Sequence, residues 1–211
     1  MNICIFASGA GSNFNAILRS AKEGYLSSKI SLLITNNSGS GAAQIALENG
    51  VECLHISRKK FAELADTEYS ELILRELVSR DIDFVVLCGY MKMMEESVTG
   101  HFKDRIINIH PALLPSFGGK GMYGINVHKA VIDSGAKVSG ITIHFVDGGY
   151  DTGRIIFQKC CEVNDSDDEF TLAERIRGME HRYYPEVIRK FEEQKIIVEG
   201  NKIQVRKLTH P

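Results

Sequence analysis

The sequence predicts an α/β fold, on three patterns. Short, nearly continuous apolar runs recur at Asn2–Ala7, Lys29–Thr35, Val51–Ile56 and Asp83–Cys88, as strands buried on both faces read. Between them lie segments with apolar residues at helical spacing, two of them closed by Gly24 and Gly50. Beyond residue 137 the rhythm changes to two β-branched runs, Lys137–Val146 and Arg154–Val163, joined by a glycine-rich loop. Alternating strands and helices imply right-handed crossovers and a parallel sheet covered on both sides. The expected architecture is therefore a Rossmann-like, mostly parallel sheet with helices on both faces and an antiparallel strand pair at its C-terminal side.

The elements follow in order. Asn2–Ala7 runs into Ser8-Gly9-Ala10-Gly11-Ser12-Asn13 and then a helix to about Glu23. Strand, glycine loop, helix is the order that aims backbone N–H groups and a helix dipole at a phosphate. Position 14 is Phe14 where a dinucleotide fingerprint needs glycine, and the P-loop Lys-Ser/Thr pair is absent, so a mononucleotide-like phosphate fits better than NAD or ATP. The plainer reading is a tight turn with Ser12 as N-cap. A second helix reaches about Asn49, and Phe61–Arg80 reads as a long amphipathic helix with Tyr69, Leu72, Ile73 and Leu77 inward. Past the fourth strand, Met91, Met93 and Met94 suit either an adaptable pocket for a flat apolar ring or simple core filling, with Lys92 turned to solvent.

Arg105–Ile109 is a further strand, after which His110-Pro111-Ala112-Leu113-Leu114-Pro115 follows. Strand alternation puts Asn108 and His110 on one face, and Pro111 ends the strand. An Asn amide can donate to a developing oxyanion, and a His can both donate and titrate, so the pair suits acyl transfer. Alone, it reads more readily as a turn cap. Gly118–Gly124 carries four glycines and reads as a lid over the site; a helix over Asn126–Ser134 follows. Asp151, in the loop between the last two long strands, reads either as a turn aspartate or as a carboxylate that favours the charged His110 imidazole. Ser166–Glu169 matches a capping box, not a metal site, and the helix over Thr171–Glu193 is expected to kink or break near Tyr184 because of Pro185. Ile196–Glu199 and Lys202–Val205 flank Gly200-Asn201 as a small hairpin.

Composition narrows the function. The 211 residues are 44% hydrophobic and 25% charged with net charge −2, which fits one domain and argues against a basic nucleic-acid surface. Five cysteines without metal spacing point to a reducing compartment. No leader-like or membrane-length apolar segment is apparent. The expectation is a cytoplasmic protein, monomeric or homodimeric, acting on small molecules without metal, nucleic acid or membrane.

On Ser8–Asn13, Gly89-Tyr90-Met91-Lys92, Asn108–Pro115, His144-Phe145-Val146 with Asp151, and Glu180-His181, the chain resembles the phosphoribosylglycinamide formyltransferases along essentially its whole length. The resemblance implies one formyltransferase domain over 1–211, with a phosphate-binding half at about 1–100 and a folate and catalytic half at about 101–211. It implies formyl transfer from the co-substrate 10-formyltetrahydrofolate to phosphoribosylglycinamide in purine synthesis. Gly11, Ser12, Asn13 and Glu180 would hold the acceptor; Met91, Lys92, Met93, Met94 and Asn108 would line the folate site; Asn108, His110 and Asp151 would form the catalytic group. Some members carry a folate-contacting Arg near the position of Asp66, which this chain lacks, and its Gly118–Gly124 loop is longer than in several relatives. Methionyl-tRNA formyltransferases add a C-terminal nucleic-acid-binding domain and formyltetrahydrofolate deformylases an N-terminal regulatory domain; neither is expected here. A non-catalytic phosphoribosyl or folate sensor would also present the glycine loop, but would leave Asn108, His110 and Asp151 unexplained.

Overall fold

The computed structural model describes residues 1–200 and 202–205. Its main strands are β1 (Asn2–Ala7), β2 (Lys29–Thr35), β3 (Glu52–His55), β4 (Phe84–Leu87), β5 (Ile106–His110), β6 (Val138–Phe145) and β7 (Ile155–Glu162). The helices are α1 (Ser12–Lys22), α2 (Gly41–Glu48), α3 (Asp66–Val78), α4 (Glu96–His101), α5 (Ile125–Asp133) and α6 (Glu169–Glu192). A separate hairpin pairs β8 (Ile196–Glu199) with β9 (Lys202–Val205). Asn201, which the sequence places in its turn, lies outside the described residues.

The seven long-range strands form one sheet in the order β3-β2-β1-β4-β5-β6-β7. The first five run parallel, and β6 is antiparallel to both neighbours. Crossovers leave β1 in one direction and β4 in the other, so the crevice between their carboxyl ends is the switch point where such sheets take ligands. Strand alternation divides the core. Ile3, Ile5, Ile107 and Ile109 pack in one cluster with Ile17 and Val187, while Cys4, Phe6 and Ile106 face Tyr69, Ile73 and Leu77 in the other. Tyr184 of α6 is fully buried, and its hydroxyl lies 2.9 Å from the Leu87 carbonyl and 3.1 Å from that of Ile107. It ties β4 to β5 from below.

Several boundaries differ from the sequence reading. The long helix begins at Asp66, not Phe61, because Glu68 accepts the Ala65 N–H at 2.9 Å and closes its first turn there. Ser12 is the first residue of α1 rather than its cap; Gly11 takes the cap position with φ 79°, a left-handed conformation that glycine adopts without strain. The cap of α6 is Asp168, whose carboxylate accepts from the N–H groups of Phe170 and Thr171, so the box lies two residues beyond Ser166. Helix α6 runs unbroken through Pro185, where the buried Tyr184, Val187 and Ile188 hold both turns against the sheet. Among the described residues no helix is long and apolar enough to cross a membrane.

Candidate active site

The β5–β6 register builds the polar centre. Asn108 stands opposite His144 and His110 opposite Thr142, with all four side chains on the face away from Ile107, Ile109, Ile141 and Ile143. His144 Nδ1 lies 2.7 Å from the Phe145 carbonyl and donates to it, while Nε2 lies 3.2 Å from the Asn108 amide nitrogen. Thr142 donates to the Ala112 carbonyl at 2.7 Å and accepts from the Leu114 N–H at 3.0 Å, pinning the proline-flanked turn that follows His110.

Asp151 reaches this face from the β6–β7 loop with φ 57°. Its Oδ2 accepts the Gly119 N–H at 2.9 Å and lies 3.5 Å from His110 Nδ1; its Oδ1 is 3.6 Å from His144 Nε2. The other His110 nitrogen, Nε2, donates to the Phe117 carbonyl at 2.8 Å. Gly118 lies between these two anchors, and a Cβ there would meet Leu114 Cδ2 at 2.4 Å and Asp151 Cβ at 3.4 Å. His110 is only 3% exposed, and this burial, against the pull of Asp151 and the Phe117 carbonyl, holds its pKa below the ordinary histidine value. The sequence reading has Asp151 favouring the charged ring; desolvation outweighs it here. Burial would raise the Asp151 carboxyl, but the His144 ring, the Gly119 amide and His110 together hold it below the ordinary carboxylate value. The Nε2 proton of His110 is committed to the Phe117 carbonyl, so Nδ1, 3.5 Å from Asp151, is the nitrogen that can gain or lose a proton.

A cavity of about 670 Å³ joins this centre to both other candidate regions. Met91, Lys92, Met93 and Met94 all border it; Met94 is buried, while Lys92 is exposed as expected. On the opposite wall Asn13 donates to Glu180 Oε2 at 3.1 Å. Burial pushes the Glu180 carboxyl up to about 7, against Asn13 and Arg177. Gly11 and Ser12 do not border the cavity; a Cβ on Gly11 would stand 2.8 Å from Ala42 Cα, so the loop is wedged against α2. Asp66 is also away from this wall and pairs with Arg58 at 2.9 Å. Among the described residues, no group of three or more His, Cys, Asp or Glu side chains is placed to hold a metal ion.

Sequence reasoning gave no role to His144 or His128. His128, buried on α5 at the cavity wall, is pushed down to about 4 by burial, with His110 and Arg177 adding to the effect. It also missed the Phe117 carbonyl and Gly119 amide, which carry no side-chain signal at all. The His144-Phe145-Val146 run on a strand was the one available clue to His144.

The formyl transferase family matches residues 1–188. The phosphoribosylglycinamide formyltransferase of Bacillus subtilis (strain 168) is 34% identical over 189 residues, covering 88% of this chain and 92% of that protein. The chloroplastic protein of the same name from Arabidopsis thaliana is 43% identical over 194 residues, covering 92% of this chain. This chain spans 66%, 62% and 63% of the lengths of the Arabidopsis, Vigna unguiculata and Glycine max proteins. The crystal structure of glycinamide ribonucleotide transformylase 1 from Symbiobacterium toebii superposes with a TM-score of 0.90 at 33% identity, covering 98% of this chain and 94% of that one. A formyltetrahydrofolate deformylase from Pseudomonas syringae pv. tomato, at 22% identity and TM-score 0.85, shares the fold.

Proposed function

The chain belongs to the formyl transferase family, and from that premise we propose that it transfers the formyl group of 10-formyltetrahydrofolate to the amine of 5'-phosphoribosylglycinamide, giving the formylated product and tetrahydrofolate. The observation that carries this reading is the convergence of Asn108, His110 and Asp151 on one cavity that also receives Asn13 and Glu180. The names of the Bacillus, plant and Symbiobacterium relatives support the choice of acceptor. Proteins named trifunctional purine biosynthetic protein adenosine-3, 32% identical in Gallus gallus, support a place in purine synthesis.

In this reading the roles divide as follows. Gly11, Ser12 and Asn13 at the start of α1 receive the acceptor's phosphate, and Glu180 accepts hydrogen bonds from its polar groups. Met91, Lys92, Met93, Met94 and Asn108 line the folate side. The acceptor's amine attacks the formyl carbon, forming the new C–N bond while the carbonyl electrons move to oxygen. The Asn108 amide, oriented by His144, donates to that oxyanion; one such donor is worth ~100- to 1,000-fold in rate. Neutral His110 takes the amine proton at Nδ1, where Asp151 stabilises the resulting imidazolium. As the intermediate collapses, the bond from carbon to the folate nitrogen breaks, and His110 returns the proton to that nitrogen, directly or through water.

This reading carries with it one domain, with acceptor contacts mainly from about 1–100 and catalytic ones from about 101–211. It also implies a cytoplasmic enzyme, monomeric or homodimeric, that works on small molecules without a metal, nucleic acid or membrane. Its free thiols and near-neutral charge balance support that setting.

The test is to follow folate absorbance with 10-formyltetrahydrofolate, with and without phosphoribosylglycinamide. Loss of formyl-folate only with the acceptor, matched by formylated product, establishes the transferase. Equal loss without acceptor makes the protein a deformylase, and binding without turnover makes it a sensor.

A further inference from the structure

The loops leaving β1 and β4 meet at the switch-point crevice, and Ser8 bridges them. The regular ladder ends with the Cys88 N–H donating to the Phe6 carbonyl at 2.7 Å. Beyond it Gly89 turns left-handed, φ 69°, and the Ser8 N–H reaches the Gly89 carbonyl at 3.2 Å. The next rung is made by a side chain: the Met91 N–H donates to Ser8 Oγ at 2.9 Å. On one side of Ser8 the chain enters Gly9–Asn13; on the other side of that hydrogen bond begins the Met91–Met94 wall of the cavity.

Each segment also has restraints of its own, and Ser8 joins the two directly, through its backbone N–H to Gly89 and its hydroxyl to Met91. The glycine loop is held against α2, where the Ala42 N–H donates to the Gly9 carbonyl at 3.1 Å. The far end of the methionine segment is held by Arg58, which pairs with Glu95 at 3.5 Å. Met91 and Met93 themselves are 44% and 50% exposed, with little packing to fix them.

We propose that the Ser8 hydroxyl is a positioning residue that couples the two substrate sites, so that acceptor bound at the Gly11–Asn13 loop holds the Met91–Met94 wall in its folate-binding arrangement. This rests on the substrate assignment made above. Acceptor seated on the loop restrains Ser8 further, and through its hydroxyl restrains the exposed Met91, so each substrate lowers the conformational cost of binding the other. Linkage makes the effect reciprocal. The Met91 N–H is near solvent, so water replaces Ser8 Oγ when the hydroxyl is removed; the fold survives and the coupling weakens.

The experiment measures binding of tetrahydrofolate, which has no formyl group to give, by calorimetry with and without saturating phosphoribosylglycinamide. In the wild type the acceptor should tighten folate binding ~5-fold or more. In Ser8→Ala, which keeps only the backbone bond to Gly89, the ratio should fall to less than half the wild-type value, and Ser8→Thr, which keeps the hydroxyl, should restore it. In turnover assays Ser8→Ala should raise the folate KM several-fold with little change in kcat. A wild-type ratio of one, or a Ser8→Ala ratio of half the wild type's or more, overturns the coupling while leaving the transferase reading intact. Failure of the wild type to bind either ligand overturns that reading and the coupling with it. Should Ser8→Ala not fold, Ser8→Cys, a weak acceptor of similar size, is held to the same ratios.

Discussion

His110 Nε2 donates to the Phe117 carbonyl at 2.8 Å, and that bond decides which nitrogen does chemistry. A carbonyl can only accept, so Nε2 keeps its proton and Nδ1, 3.5 Å from Asp151, is the nitrogen that can gain or lose one. Replacing the ring should therefore remove turnover rather than binding. His110→Ala is expected to lower kcat ~100- to 1,000-fold, with substrate dissociation constants changed only a few-fold. Single-turnover kinetics beside equilibrium binding would check this, and near-normal kcat would refute the role.

Asp151→Asn makes a prediction about pH. The carboxylate raises the His110 pKa against burial, so an amide in its place leaves burial less opposed and the pKa falls further. If neutral His110 is the base, activity is lost as pH drops through that pKa. The acid limb of the kcat/KM profile should then move to lower pH, with a lower plateau. A limb that stays put, or moves up, would exclude His110 as the titrating base.

Glu180 gives a stability test with a fixed sign. Burial raises its carboxyl from the ordinary 4.5 to about 7, so the folded state holds a proton that the unfolded chain releases earlier. That contribution is full below about 4.5 and is lost as pH rises through about 7. Glu180→Gln stays neutral throughout. Its Tm relative to the wild type should climb by a few degrees across this window (~2–4 °C per kcal/mol). Melting curves at pH 4.5 and pH 8 that differ by the same amount would contradict the buried-carboxyl account.

Gly140 tests the antiparallel register. A Cβ there would lie 2.1 Å from the Lys159 carbonyl oxygen and 2.9 Å from Cys160 Cα, both backbone atoms of the paired strand. Gly140→Ala should cost ~1–3 kcal/mol or more, because paired strands cannot part locally. Thermal or urea unfolding measures it, and wild-type stability would mean that β6 and β7 are paired in another register.

The sheet was legible because buried parallel strands leave apolar runs and period-2 alternation survives in any context; β1 and β2 were read to the residue. Helix ends were less so. The start of α3 depends on Glu68 bonding back to Ala65, and an amphipathic pattern extends past such a stop. Pro185 misled because a local rule for breaking helices yields to a buried face. At the site, Asn108 and His110 showed in the strand pattern and Asp151 in a loop, but their meeting depends on a loop that folds back over the sheet. His144 required the β5–β6 register, and the backbone groups of Phe117 and Gly119 required coordinates.

Phe117 and Gly119 also set a limit on how this family of loops can change length. Only Gly118 separates the carbonyl that holds His110 from the amide that holds Asp151, so the spacing of the acid–base pair is ruled by one short piece of chain. An insertion or deletion between His110 and Gly119 would throw both partners out of register at once. Residues added after Gly119 leave both anchors where they are. The glycine-rich segment is thus free to lengthen or shorten over evolutionary time on its C-terminal side, reshaping what the cavity admits without disturbing the bond-making groups beneath it.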